Sequence, residues 1–225
     1  MSKRRTISQR SELIYDIHNF GLNADTRELF LHPDNSVDND SAEVDHRMAS
    51  VTIKNISFLN RQNHNPIVIH MCSCGGVWEY GLAIYDAIKA SRSEIYIIAY
   101  AHARSMSSII LQAGDYRILT PNTYVMIHEG TDGYDGSTRG LITQAKQAQQ
   151  ACDKMLDIYI ERCNQGSYFT SRQWGDLQIR NFLKKQMRNH QEWYLSTDEA
   201  INYGFADHIL DEEGCPAIEE ILNIV

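Results

Sequence analysis

The sequence predicts an α/β fold, and three observations carry that prediction. Two short runs, "PIVIHM" (66–71) and "EIYIIAYA" (94–101), are rich in β-branched residues and lack apolar–polar alternation, as in strands buried on both faces. Segments of helical period, "VWEYGLAIYDAIKA" (77–90) and "SMSSIILQAG" (105–114), follow each of them. Strand and helix therefore alternate through the middle of the chain, which is the order of an α/β domain.

The elements follow in sequence order. Residues 1–25 are polar and irregular and read as an arm or loop; "RELFLH" (27–32) reads as a short strand and "PDNSVDND" as a polar turn. Asp40 and Glu43 have capping-box spacing ahead of Val44, Met48, Val51, Ile56 and Leu59, which fall near helical period. In the 77–90 helix, Val77, Leu82, Ile84, Tyr85 and Ile88 are the core candidates, and Gly114 ends the next helix. "YRILT" and "YVMIH" are strands divided by Pro121-Asn122. After the glycine-rich "GTDGYDG" (130–136), a long polar helix is expected from about Ser137 to Cys163. "WGDLQIRNFLKKQMRNH" reads as helical, and "STDE" (196–199) is a capping box for a helix that Gly204 ends.

Composition narrows the function classes. With 225 residues, 43% hydrophobic and 22% charged, and no Gly/Ser- or Pro-rich linker, the chain reads as one globular domain. A net charge of −8 opposes a nucleic-acid or anionic-membrane surface, and the basic run Arg180 to Arg188 reads as a solvated helix face. No stretch approaches the roughly 20 apolar residues of a membrane helix, and no apolar run follows "MSKRRTISQR", so a cytoplasmic protein is expected. Five cysteines (Cys72, Cys74, Cys152, Cys163, Cys215) at irregular spacing imply no disulfide framework. The C-x-C of Cys72 and Cys74 fits neither zinc spacing nor a C-x-x-C redox pair, and His70 shares a strand face with Cys72 without needing a ligand role. Neither metal nor cofactor is expected.

Two strand ends carry unusual polar residues: Ser105 after "EIYIIAYAHAR" and His128 after "YVMI". A serine at a strand-to-helix turn lies close to backbone N–H groups, and acyl transfer needs a nucleophile, a base within reach and N–H donors for an oxyanion. Gly75-Gly76, at another strand-to-helix turn, could supply such a donor without a side chain in the way. Taken singly, Ser105 is equally readable as a helix N-cap and His128 as a satisfied polar residue. Spacing leaves both readings open.

Four longer motifs carry more. "SCGGVWEYGLAIYDAI", "ARSMSSIILQAG", "PNTYVMIHEGTDGYDG" and "YLSTDEAINYGFADHIL" together resemble, in the right order, the ClpP family of serine peptidases, the proteolytic subunit of the Clp protease, from about Arg27 to Leu210. The resemblance implies a ClpP/crotonase-like spiral of β-β-α units with a protruding handle helix at about 137–163. It also implies an arm or axial loop at 1–25 and a peptidase domain at 26–225. Ser105 takes the nucleophile's place and His128 the general base's. Gly76 and Met106 take those of the oxyanion-hole N–H groups. Gly133, Tyr134, Asp135 and Gly136 correspond to the strand along which substrate peptides lie. Cys74 stands where the family usually has proline.

The departures matter. The family's third triad residue is usually aspartate, and "EWYLS" places Glu192 there; Asp198 is a rival carboxylate explained by its place in a helix's first turn. The resemblance implies homo-oligomeric stacked heptameric rings and a hexameric AAA+ unfoldase such as ClpX or ClpA. Val68 and His70, however, replace tyrosines of the docking cleft and remove aromatic anchoring area. The 169–190 stretch is longer than the family usually has and is expected to reshape the substrate side or outer rim. A serine endopeptidase is the first reading. A non-catalytic or weakly active structural subunit of a mixed ring is the second, and a crotonase-type acyl-CoA enzyme the third.

Overall fold

The computed structural model describes residues 6–32, 43–131, 133 and 135–222. Where the sequence reading expects an irregular arm, a helix stands, α1 (Ile7–Phe20). Thr6 and Gln9 close a reciprocal capping box at its start, and Gly21 ends it in the left-handed region at φ 57°. None of its residues is buried, so no apolar stripe marks it in the sequence. Strands β1 (Leu22–Asn23) and β2 (Glu28–Leu31) pair antiparallel. Helix α2 (His46–Gln62) is capped by Asp45, whose carboxylate accepts from the Met48 N–H at 2.8 Å. It therefore opens later than the Asp40–Glu43 spacing suggests, and Asp40 lies outside the described residues.

Strand β3 (Ile67–Ser73), helix α3 (Trp78–Lys89), strand β4 (Ile95–Arg104) and helix α4 (Met106–Leu111) form the expected alternation. Val77 is not core, as it stands at the α3 N-cap and is 41% exposed. Strands β5 (Tyr116–Leu119) and β6 (Tyr124–Ile127) flank the Pro121-Asn122 turn. The long helix α5 (Thr138–Cys163) is capped by Ser137; its buried residues begin only at Met155, so its first part stands clear of the body. The rest comprises α6 (Ser167–Thr170), α7 (Asp176–His190), β7 (Trp193–Leu195), α8 (Thr197–Asn202), β8 (His208–Ile209) and α9 (Ile218–Ile221). Helix α8 opens on the Ser196–Glu199 capping box read from the sequence.

The sheet runs β1-β2-β3-β4-β5-β8, and β4 forks. Its first half pairs parallel with β5 (Tyr96 to Ala99 against Tyr116 to Leu119), its second half with β6 (His102 to Arg104 against Tyr124 to Met126). Ala101, left-handed at φ 56°, lies between the halves, where the β3–β4 register also slips. Strand β7 then pairs antiparallel with β6, placing Ile127 opposite Trp193.

The 169–190 stretch is structural. Phe169, Ile179, Leu183 and Met187 are buried; Phe169, Trp174 and Phe182 pack on one another, Phe169 reaches Tyr203, and Phe182 meets both Trp193 and Tyr203. This cluster underlies β7, so the added length supports that strand from below. Among the described residues no helix is long and apolar enough to cross a membrane.

Candidate active site

Ser105 joins β4 to α4 with φ 51° and ψ −125°, a conformation that costs a non-glycine residue about 1–3 kcal/mol and needs the surroundings to hold it. Its N–H donates to the Met126 carbonyl at 2.8 Å, and its carbonyl accepts from the Ser108 hydroxyl at 2.6 Å. Ser108 Oγ lies 2.7 Å from the hydroxyl of buried Tyr159 on α5. The turn is thus fixed from the sheet on one side and from the long helix on the other. Its side chain faces outward, with Oγ 2.6 Å from His128 Nε2. His128 follows β6, which pairs with the end of β4 just before Ser105, so sheet pairing brings the two together.

The glycine pair lies over this turn. A Cβ on Gly75, at φ 100°, would stand 2.6 Å from Ser105 Cβ and 2.9 Å from the Met106 nitrogen. Gly76 forms a parallel bridge with Val44, which donates to the Gly75 carbonyl at 2.6 Å and accepts from Val77 N–H at 2.9 Å. In a parallel bridge the central residue's own N–H points away from that partner, so the Gly76 N–H is directed away from Val44. A Cβ on Gly76 would meet the Val44 nitrogen at 2.4 Å. Ser73 braces the same turn, accepting from Gly75 N–H at 3.3 Å and from Ser107 Oγ at 2.7 Å.

Glu192 is placed by register. Ile127 and Trp193 are the last pair of the β6–β7 ladder, and His128 and Glu192 are the residues that adjoin that pair on either strand. No hydrogen bond joins the two; Glu192 Oε2 instead accepts from the Tyr194 hydroxyl at 2.9 Å. Burial lowers the His128 imidazole below its ordinary range, and the nearby Glu192 charge pulls it partly back. Gly133, Asp135 and Gly136 are exposed between β6 and α5, and Tyr134 lies outside the described residues.

Other neighbours were not singled out from the sequence. The Arg104 guanidinium lies over the rings of Tyr124 and Tyr194, 5.8 and 5.6 Å from their centroids. The exposed Cys74 has its Sγ 3.3 Å from His102 Nε2. All are contacts among residues far apart in sequence, made by the β4–β6–β7 register for Arg104 and by β3 beside β4 for Cys74. His70 is held by Glu28 (3.0 Å) and the Tyr100 hydroxyl (2.9 Å) and stacks on Phe30. Val68 is fully buried beside Ile221 of α9. Among the described residues no group of three or more His, Cys, Asp or Glu is placed to hold a metal.

A hydroxyl on a strained turn, a half-buried imidazole in hydrogen-bond reach and N–H groups beside them can carry out acyl transfer. Comparison with known proteins points the same way. The Clp protease family model matches residues 37–213. The ATP-dependent Clp protease proteolytic subunit of Deinococcus radiodurans is 31% identical over 172 residues, 75% of this chain and 77% of that one. A ClpP1 variant from Listeria monocytogenes shares the fold, with a TM-score of 0.67 and 22% identity over 84% of this chain and 94% of its own. On the extent of the family match and the identity to the Deinococcus subunit, the chain belongs to the Clp protease family.

Proposed function

We propose that the chain is a serine endopeptidase subunit that cleaves unfolded polypeptides to short peptides inside stacked, heptameric homo-oligomeric rings. The observation that carries this reading is the 2.6 Å approach of Ser105 Oγ to His128 Nε2 on a strained strand-to-helix turn. In acylation, Ser105 Oγ attacks the scissile carbonyl while its proton passes to His128 Nε2. The oxyanion is received by the Gly76 and Met106 N–H groups, and each such donor is typically worth about 10²–10³ in rate. His128 returns the proton to the leaving amine; a water then repeats the cycle on the acyl-enzyme. Glu192 stabilises the imidazolium by its charge, and the 133–136 stretch (Gly133, Tyr134, Asp135, Gly136) lines the extended substrate. An AAA+ unfoldase of the ClpX or ClpA kind would feed the ring. The burial of Val68 and the tied His70 give such a partner little aromatic purchase, so peptides are the substrates to test first.

A second reading, a weakly active or structural subunit of a mixed ring, draws on one observation: Glu192 bonds Tyr194 and not His128. Labelling by a fluorophosphonate probe, with particle mass read in parallel, separates the two. Labelling lost in Ser105→Ala and His128→Ala, on a multi-ring particle, supports the peptidase. No labelling of a well-folded ring favours the structural subunit. If Glu192→Gln kept the full labelling rate, the carboxylate would have no part in the site.

A further inference from the structure

We propose that Tyr194, its ring packed against Arg104 and Tyr124, is a positioning residue whose hydroxyl keeps the long Glu192 side chain near His128. This rests on the serine-peptidase reading above. A glutamate has one more rotatable bond than the aspartate usual in its family, and Glu192 is exposed, so nothing in the core restrains it. The Tyr194 hydroxyl supplies a restraint, donating to Oε2 at 2.9 Å. Oε1 stays available to the imidazole of His128, which adjoins the same last pair of the β6–β7 ladder.

The tyrosine is anchored in turn. Its ring meets Tyr124 edge-on, with centroids 6.3 Å apart at 80°, and the Arg104 guanidinium lies 5.6 Å from its centroid. Arg104 immediately precedes Ser105. The chain Arg104–Tyr194–Glu192 therefore spans β4 to β7 across the site and fixes the carboxylate relative to the nucleophile's own strand. Tyr194 is 45% exposed, and Tyr194→Phe keeps the ring that meets Tyr124 and Arg104 while removing the hydroxyl. The charge of Glu192 is felt at His128, which is the coupling a held carboxylate gives.

The test is Tyr194→Phe in two backgrounds, the unaltered chain and Glu192→Asp, whose shorter side chain falls short of the phenol. Two readouts are taken: the pH dependence of fluorophosphonate labelling, and the His128 imidazole titration by NMR, which requires no turnover. In the unaltered chain Tyr194→Phe should slow labelling about three- to ten-fold and move both the acid limb and the His128 titration to lower pH. In the Glu192→Asp background it should change neither. Equal slowing in both backgrounds, an unmoved His128 titration, or faster labelling would overturn the assignment; the last would make the phenol a competitor of His128. An unlabelled wild type would count against the peptidase reading, and the titration would still decide whether Tyr194 holds Glu192 at the imidazole.

Discussion

Replacing Gly75 by alanine asks whether the turn after β3 is built onto Ser105. A Cβ at Gly75 would stand 2.6 Å from Ser105 Cβ, 2.7 Å from the Arg104 carbonyl oxygen and 2.9 Å from the Met106 nitrogen. Non-bonded carbons rest at about 3.5–4.0 Å, so the two turns must separate by roughly 1 Å. The left-handed backbone adds about 1–2 kcal/mol for any residue with a Cβ. Gly214 isolates that second part, since it has φ 88° and nothing within 4 Å of its would-be Cβ. Gly214→Ala should lower Tm by about 2–8 °C, at the 2–4 °C per kcal/mol usual for this size, and label at the wild-type rate. Gly75→Ala should lose more than that. Because a displacement of about 1 Å can cost 10²-fold, its labelling should fall about 100-fold. Equal melting losses for the two variants, with wild-type labelling by Gly75→Ala, would refute the packing of this turn on Ser105.

Other outcomes follow from the same geometry. Burial lowers the His128 pKa, and only the neutral imidazole can take the Ser105 proton, so labelling should rise to a plateau with its midpoint below about 6.5. By linkage, a base whose pKa is depressed on folding contributes stability above its unfolded value. His128 should therefore cost stability as pH falls below about 6.5, read as a drop in Tm that His128→Asn lacks. Tyr159→Phe removes the phenol beside Ser108 and should cost about 1–2 kcal/mol in urea denaturation, with slower labelling because Ser108 holds the Ser105 carbonyl. Burial pushes the Asp207 carboxyl up, but hydrogen bonds and charge from Arg117 outweigh it and hold the group below its ordinary range. Its contribution should be complete above about pH 4 and lost as pH falls through the folded value. Asp207→Ala, which strands the buried Arg117, should cost roughly 3 kcal/mol or more.

Legibility in the sequence followed burial. Strand β3 and the first half of β4 bury nearly every position, and the runs "PIVIHM" and "EIYIIAYA" announce them; α5 and α8 announce themselves by length and capping chemistry. Helix α1 escaped because it buries nothing, and α2 was begun too early because Asp45, its true cap, lacks a Glu or Gln three positions on. The fork in β4 turns on Ala101, and alanine gives no warning of a left-handed backbone. Ser105, His128 and the glycine pair stand out through motifs, because the chemistry they fit allows few alternatives at those positions. Arg104, Tyr124 and Tyr194 do not, since their meeting depends on register between strands about 20 and about 70 residues apart in sequence, which no local pattern encodes.

The departures from the family's motifs gather where side chains, not backbone, make the site. An oxyanion hole built of N–H groups is indifferent to neighbouring side chains so long as the turn keeps its course. Cys74 can thus replace a proline while Ser73, Val44 and the two glycines still fix that course. A triad carboxylate has no such protection, because its position is set by side-chain length and by what holds its end. Glu192, the carboxylate proposed for that place, is one methylene longer than aspartate, and it immediately precedes β7, which the 169–190 stretch meets through Phe182 and Trp193. The strand's outward face carries the phenol that bonds Glu192. The extra helices and the Arg104–Tyr194 contact therefore act on the same element from opposite sides. If Glu192 serves the proposed triad, its longer side chain draws on both, a firmly placed strand and a tether for its end.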